Sequence, residues 1–402
     1  MTTVHGTVPE KYESVRQTLA ASIATGGDIG ASFCATKNGE IVVDIWGGRK
    51  TRGGETWDRD TVSIVFSCTK GAQALTAHMA ADRGLLDLDA PVADYWPEFA
   101  TNGKEDARVS MMLDHSVGLP HVKPLLAPGA VYDYEFMCDL LAKHAPFWKP
   151  GTRNGYHGIS CAWTVAPLVH KTTGKRMGAF FQDEVAKPLG IDFWIGTPEE
   201  IEPRIAPMIP TLPDPAAPPS RIVAAALADR ESPSGLFLFN GGGFDPNSRA
   251  GHAAEIGAGN GISNARGLAG LYAPLANGGA INGRRYVGAE TLTRMSRVSV
   301  STHEDATLMI PTRFSLGYMK SMDNRALPNA QDCSVILSEP AFGHVGMGGS
   351  IGFADPECRM SFGYTMNRMG LGILLNDRGQ SLIDAAYAAL GYRTNKGGAW
   401  TH

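Results

Sequence analysis

Apolar positions along the chain switch between a helical and an extended period. Pro9 to Ala24 shows helical spacing, with a proline at the entry and Gly26-Gly27 past the end. Ile29–Thr36 and Glu40–Trp46 read as two strands, and Lys37-Asn38-Gly39 between them predicts a hairpin. The apolar run Val62–Phe66 leads into a helix over Thr69–Arg83, closed by Gly84. From about residue 85 to 250, helical patterns alternate with long loops. One such helix ends at Trp148, and another opens at Ile159 with a kink expected at Pro167. Seven prolines in Ile201–Ser220 predict an extended surface segment. Beyond Gly257 the pattern gives a helix over Leu268–Asn277 and a strand over Arg313–Lys320. Two strands follow, Gly348–Asp355 and Met360–Met366, joined at Pro356-Glu357, and then a closing helix over Ser381–Leu390.

Strands near both ends with helices between them predict an α+β fold, in which an antiparallel sheet is flanked by helices. The expected organisation is an α/β domain built from residues 1–65 and 257–402. A mainly helical domain, 66–256, is inserted into it, and the cleft between them offers the natural ligand site. No internal repeat or low-complexity tract is visible.

Composition narrows the function. The 402 residues are 43% hydrophobic and 19% charged, with a net charge of −4, so a large core is affordable and a basic nucleic-acid surface is not expected. No run of about eighteen apolar residues predicts a membrane span. Met1–Tyr12 lacks a basic-then-apolar leader, so a cytoplasmic location is expected. The six cysteines are scattered without a C-x-x-C pair, which predicts neither a zinc site nor a disulfide framework. The histidines His115, His157 and His344 do not share metal-ligand spacing, so neither a metal nor a cofactor is called for.

Three elements could carry chemistry. Ser67-Cys68-Thr69-Lys70 opens the helix to Arg83, putting an amine one turn from a serine hydroxyl. Alone, S-x-x-K fits a helix-starting serine beside a solvated lysine equally well. Tyr156 follows the Pro150-Gly151 loop and precedes a helix, so its hydroxyl could enter a cleft or simply pack. Phe342-Gly343-His344-Val345-Gly346-Met347-Gly348-Gly349 is a small-residue strand that lets a ligand approach backbone N–H groups, or a glycine-rich bend.

In this order the three elements resemble the class C β-lactamase and penicillin-binding-protein superfamily of serine hydrolases. The sequence looks most like its family VIII carboxylesterases, over about Gly30 to Leu390. Leu113-Asp114-His115-Ser116-Val117-Gly118-Leu119-Pro120 and Pro188-Leu189-Gly190-Ile191 are similar to two further phrases of that superfamily. The resemblance implies a β-lactamase/transpeptidase-like fold and a covalent acyl-enzyme on Ser67. Lys70 and Tyr156 become the pair that removes its proton. A tyrosine beside an ammonium is expected to have a lowered pKa, and which of the two takes the proton stays open. By analogy, the backbone N–H groups of Ser67 and of Met347, on the strand edge, hold the oxyanion. His344, Gly346 and Gly158 fall at substrate-binding positions.

Two departures from that pattern matter. Gly158 stands where β-lactamases carry an asparagine amide. His344-Val345-Gly346 replaces a lysine-threonine/serine-glycine that grips a carboxylate. Both favour a neutral ester over a penicillin, and the expected activity is a serine esterase acting on carboxylic esters with short or medium acyl chains. The alternatives are a β-lactamase or amidase, an acyltransferase, or a silent binding protein. Gly348-Gly349-Ser350-Ile351-Gly352 matches a nucleophile elbow, but a strand follows it and only His402 lies downstream as a histidine. A small-molecule ester is the expected partner, without nucleic acid or membrane; a homo-oligomer is left open.

Overall fold

A computed structural model of the protein describes residues 3–402. Its main sheet has six strands: β1 (Val4–Thr7), β2 (Gly30–Lys37), β3 (Glu40–Gly48), β4 (Phe342–Val345), β5 (Ile351–Asp355) and β6 (Met360–Met366). Their order across the sheet is β1-β3-β2-β6-β5-β4, with every neighbour antiparallel. The two ends of the chain therefore meet at the centre, where β2 pairs with β6. The β2–β3 hairpin turns at Asn38 and Gly39, both with positive φ (53° and 88°), as a two-residue turn matched to strand twist requires.

Both faces of the sheet are covered. Helices α1 (Glu13–Ala24) and α8 (Asp377–Leu390) pack together on one face, beside the apolar residues Phe362 and Tyr364 of β6. Helix α7 (Ala265–Ala276) lies on the other face, against β2, β5 and β6. There the alternating positions of β6 are small. A Cβ on Gly363 would stand 2.2 Å from the Ala265 carbonyl oxygen, and Ser361 donates to the Ala269 carbonyl at 2.7 Å. The intervening helices include α2 (Thr69–Asp82), α3 (Tyr134–Lys143), α4 (Ala162–Thr173), α5 (Arg221–Ala228) and α6 (Pro233–Phe239). Helix α2 is buried on all sides from Thr69 to Ala80, so it forms the axis of the helical part. No helix among the described residues is long and apolar enough to cross a membrane.

Three expectations from the pattern need correction. The strand over Arg313–Lys320 is only Thr312–Phe314; the chain then turns at Gly317 (φ 92°), where a Cβ would stand 2.4 Å from the Ala74 Cβ. The helix expected to end at Trp148 stops at Lys143, because Pro146 disfavours helical backbone before it. The proline-rich Ile201–Ser220 is not simply extended surface. It includes the end of a 3-10 helix, Glu199–Arg204, and then bridges Ile205 to Val62 and Ile209 to Arg368, with Ala206 and Met208 buried. Its prolines alternate with residues whose N–H groups pair, such as Ala206 to Val62 and Ile209 to Asn367.

Candidate active site

Ser67 sits in the single 3-10 turn Phe66–Cys68 that feeds α2. The residue before it, Phe66, has φ 42°, a conformation unfavourable for a bulky side chain that the surroundings must enforce. They do so from both sides. Val65 donates to the Gly261 carbonyl at 2.8 Å, while the Thr69 hydroxyl donates to the Phe66 carbonyl and accepts from the Gly261 N–H at 2.8 Å. Ser350 also buttresses this turn: its buried hydroxyl donates to the Val65 carbonyl at 3.2 Å. It stands immediately before strand β5 and no helix follows, so the nucleophile-elbow geometry is absent there.

Lys70 is buried one turn along, and its Nζ makes three contacts: the Ser67 Oγ at 3.0 Å, the Gly158 carbonyl at 2.7 Å and the Ala258 carbonyl at 2.8 Å. No carboxylate is among them. Burial pushes the amine down to about 8. The two carbonyls can only accept, so they engage two N–H groups whatever the protonation state. In the neutral amine the remaining valence is a lone pair, and it faces Ser67.

Tyr156 is buried within an aromatic cage. Phe314 stacks on it at 6.0 Å between centroids, His115 and Phe237 approach edge-on at 5.0 and 6.3 Å, and His344 is tilted at 6.1 Å. Lys70 Nζ lies over the ring face, 4.8 Å from its centroid. The expectation of a lowered tyrosine pKa is reversed here. Burial holds the phenol well above its usual range, and the hydrogen bond with Ser67 counters this only in part. Tyr156 is thus a neutral hydroxyl at working pH, able to give a proton and to be reprotonated once it has done so.

The three histidines of this region are also uncharged. Burial and the Lys70 charge press His344 down to about 3, and burial takes His157 to about 3 and His115 well below its ordinary value. His344 Nδ1 faces its neighbour's Val345 carbonyl at 2.7 Å, which leaves the buried Nε2 without a partner.

The remaining sequence candidates are placed as follows. A Cβ on Gly158 would stand 2.0 Å from the Phe237 ring, so glycine lets the ring pack against the backbone whose carbonyl meets Lys70. A Cβ on Gly346 would meet the Val65 carbonyl at 2.2 Å, which brings the β4 end against the Ser67 turn. Met347 lies in the turn after β4 rather than on the strand. Among the described residues, neither its N–H nor that of Ser67 donates to a backbone acceptor outside the helices and strands. Among the described residues, no three His, Cys, Asp or Glu side chains group to hold a metal ion.

Sequence reading missed several supports. Buried Asp305 accepts the Tyr156 N–H, and its oxygens also take the Thr307 and Leu308 N–H groups at 2.9 Å. The Gly348 carbonyl, beside Met347, accepts from Asn376 Nδ2 and the Gly370 N–H, both at 2.8 Å, and from Arg378 at 3.3 Å. Asn376 carried one local signal, as an N-cap residue before a helix. Asp305 and the Ala258 carbonyl carried none.

The sequence matches the beta-lactamase family over residues 15–386. It is 33% identical over 387 residues to the esterase/beta-lactamase LipL of Mycobacterium tuberculosis, covering 93% of this chain and 85% of that protein. The crystal structure of a family VIII carboxylesterase superposes with a TM-score of 0.85 at 35% identity, over 96% of this chain and 100% of the other. A penicillin-binding-protein homologue from Caulobacter crescentus gives a TM-score of 0.85 at 31% identity, with the same coverage. The antiparallel sheet with its helical layers is thus the β-lactamase/transpeptidase-like fold, and the chain belongs to the beta-lactamase family.

Proposed function

We propose that the protein is a serine hydrolase that cleaves carboxylic esters through an acyl-enzyme on Ser67. The observation that carries this is the three-way contact of Lys70 Nζ, two carbonyls and one serine hydroxyl, with its amine near neutrality. The neutral amine takes the Ser67 proton as Oγ attacks the ester carbonyl carbon. The developing oxyanion is received by the N–H groups of Ser67 and Met347. The Tyr156 hydroxyl gives its proton to the leaving alkoxide and is reprotonated from Lys70. Water then attacks the acyl-enzyme by the reverse relay, restoring Ser67 and releasing the acid.

The esterase names among the relatives support an ester as substrate, as do two local features. His344 is uncharged and supplies no cation for a substrate carboxylate, and Gly158 has no amide to orient a lactam. A β-lactam is accordingly expected to turn over far more slowly than an ester. The proposed domain organisation, 1–65 with 257–402 around an inserted 66–256, puts Ser67 close to the junction of the two. The six cysteines, all buried and unpaired, fit a reducing compartment, and a cytoplasmic location is part of the proposal.

The test is hydrolysis of p-nitrophenyl butyrate by the wild type and Ser67→Ala. Loss of turnover in folded Ser67→Ala, with a fluorophosphonate adduct mapped to Ser67 in the wild type, is the expected result. Retained hydrolysis by that variant would refute the assignment.

A further inference from the structure

We propose that one water molecule is bound beside Lys70, between the side chains of Gln73 and His115, and that Gln73 and this water position Lys70 for its proton transfer. This rests on the reading of Lys70 as the base and adds to it a binding site and a positioning residue.

Gln73 follows Lys70 by one turn of α2, on the same side of the helix, and is buried. Its Nε2 donates to the Cys161 carbonyl at 3.2 Å, just before α4. Its Oε1 lies against Gly257, where a Cβ would stand 2.3 Å from it. The amide thus spans the two segments whose carbonyls, those of Gly158 and Ala258, orient the Lys70 amine. Oε1 is itself buried and accepts from no group among the described residues. A buried acceptor left in that condition costs stability unless a water reaches it.

Room for that water is present. A cavity of about 10 Å³ is lined by Lys70, Gln73, His115, Cys161 and Val165 among others. That is roughly the space one water needs, and a buried water stays where it has two or more polar partners. His115 supplies the second. Its Nδ1 accepts the His157 N–H at 3.3 Å, so the neutral ring carries its proton on Nε2. Among the described residues no acceptor meets that Nε2–H. The water accepts from His115 Nε2 and donates to Gln73 Oε1. It also steadies the ring whose edge packs on Tyr156 at 5.0 Å, in a residue whose backbone is held at φ 67°.

The surroundings of Lys70 make it sensitive to such neutral groups. Burial raises the Cys68 and Cys161 thiols and the Tyr156 phenol, and it lowers His115, His157 and His344. None of the six is charged near pH 7, and the Asp305 carboxylate is taken up by N–H groups beyond Tyr156. The Lys70 ammonium is therefore stabilised by dipoles, and Gln73 with its water adds to the two carbonyls.

The experiment joins a high-resolution crystal structure to the pH profile of kcat/KM for p-nitrophenyl butyrate. Three proteins are used: the wild type, Gln73→Met, and Val165→Ile, which keeps the amide and adds a methyl at the cavity wall. The expected wild-type density holds one water within hydrogen-bonding distance of Gln73 Oε1 and His115 Nε2. Losing these dipoles deepens the burial of Lys70, so the acid limb should move down by about half a pH unit or more in the variants, and the plateau of Gln73→Met should fall about tenfold. A lower plateau with an unmoved limb is what a merely structural role would give. A wild-type cavity without that water overturns the proposal, and so does an acid limb that moves in neither variant. Failure of the ester-hydrolase reading shows separately, as hydrolysis retained by folded Ser67→Ala, which leaves the wild-type water density unaffected.

Discussion

Asp305 holds the backbone N–H of Tyr156 with both carboxylate oxygens, at 2.9 and 3.0 Å, although the two residues are far apart in the chain. The same carboxylate gathers the N–H groups of Thr307 and Leu308 and the Thr312 hydroxyl, so it fastens the Tyr156 loop to the segment that carries Phe314. Asp305→Asn replaces one acceptor by an NH2 group aimed at donors. A fall in kcat of about 10- to 100-fold is expected, together with a stability loss of about 2 kcal/mol, the scale of an unsatisfied buried donor. Steady-state kinetics beside urea denaturation would check both. Full activity in Asp305→Asn would mean that Tyr156 is positioned by its aromatic cage alone.

The pH profile should be set by Lys70. Its pKa is lowered to about 8, and only the free amine can take the Ser67 proton. The sign follows directly: kcat/KM rises with pH, about tenfold per unit well below 8, and levels off above it. Tyr156 must stay protonated to serve the leaving group, and its pKa is raised well above 10, so it imposes no falling limb before that pH. A profile whose acid limb lies far from 8 would mean that Lys70 is not the group that sets it. Lys70→Arg keeps a charge without a usable lone pair and should abolish turnover.

How much of this was legible in the sequence follows from the range of the interactions. The β2–β3 hairpin and α2 are written in local signals, Asn38-Gly39 and the Gly84 stop, and the structure has both. Ser67 and Lys70 are one helical turn apart, so their contact could be read from spacing alone. Tyr156 was found only because its loop resembled a family pattern. Nothing local says that the Ala258 carbonyl would meet Lys70, since backbone acceptors carry no residue identity. The tyrosine pKa was misjudged for a related reason. Proximity to an amine is visible in a motif, but the burial that outweighs it comes from Phe237, Phe314 and His115, each on a different segment.

Gly158 and Phe237 should behave as a coupled pair. A methyl at Gly158 would stand 2.0 Å from the Phe237 ring, and the Gly158 carbonyl is one of the two acceptors that orient Lys70. Gly158→Ala alone should lower kcat/KM by about tenfold or more as the carbonyl is displaced. Adding Phe237→Ala makes room and should recover much of that loss, giving a non-additive double-mutant cycle. Additive losses would show that the fall in Gly158→Ala does not come from its clash with the Phe237 ring, and unchanged kcat/KM in Gly158→Ala would show that the ring yields without disturbing the carbonyl.

Asn376 does two jobs that one substitution can separate. Its side-chain oxygen accepts the Gly379 N–H as the N-cap of α8, while its Nδ2 donates to the Gly348 carbonyl at 2.8 Å. Asn376→Asp keeps a good cap but turns a second acceptor toward that carbonyl. The carbonyl remains held by the Gly370 N–H and Arg378, so the turn should survive with its peptide planes rotated. The expected consequence is a fall in kcat of about tenfold with KM little changed, because an oxyanion donor acts on the transition state rather than the bound ester. Asn376→Ala removes the cap as well and should add a stability loss of about 1 kcal/mol. Wild-type kcat in Asn376→Asp would show that the Met347 N–H is aimed by Gly346 and Ser350 without help from the helix.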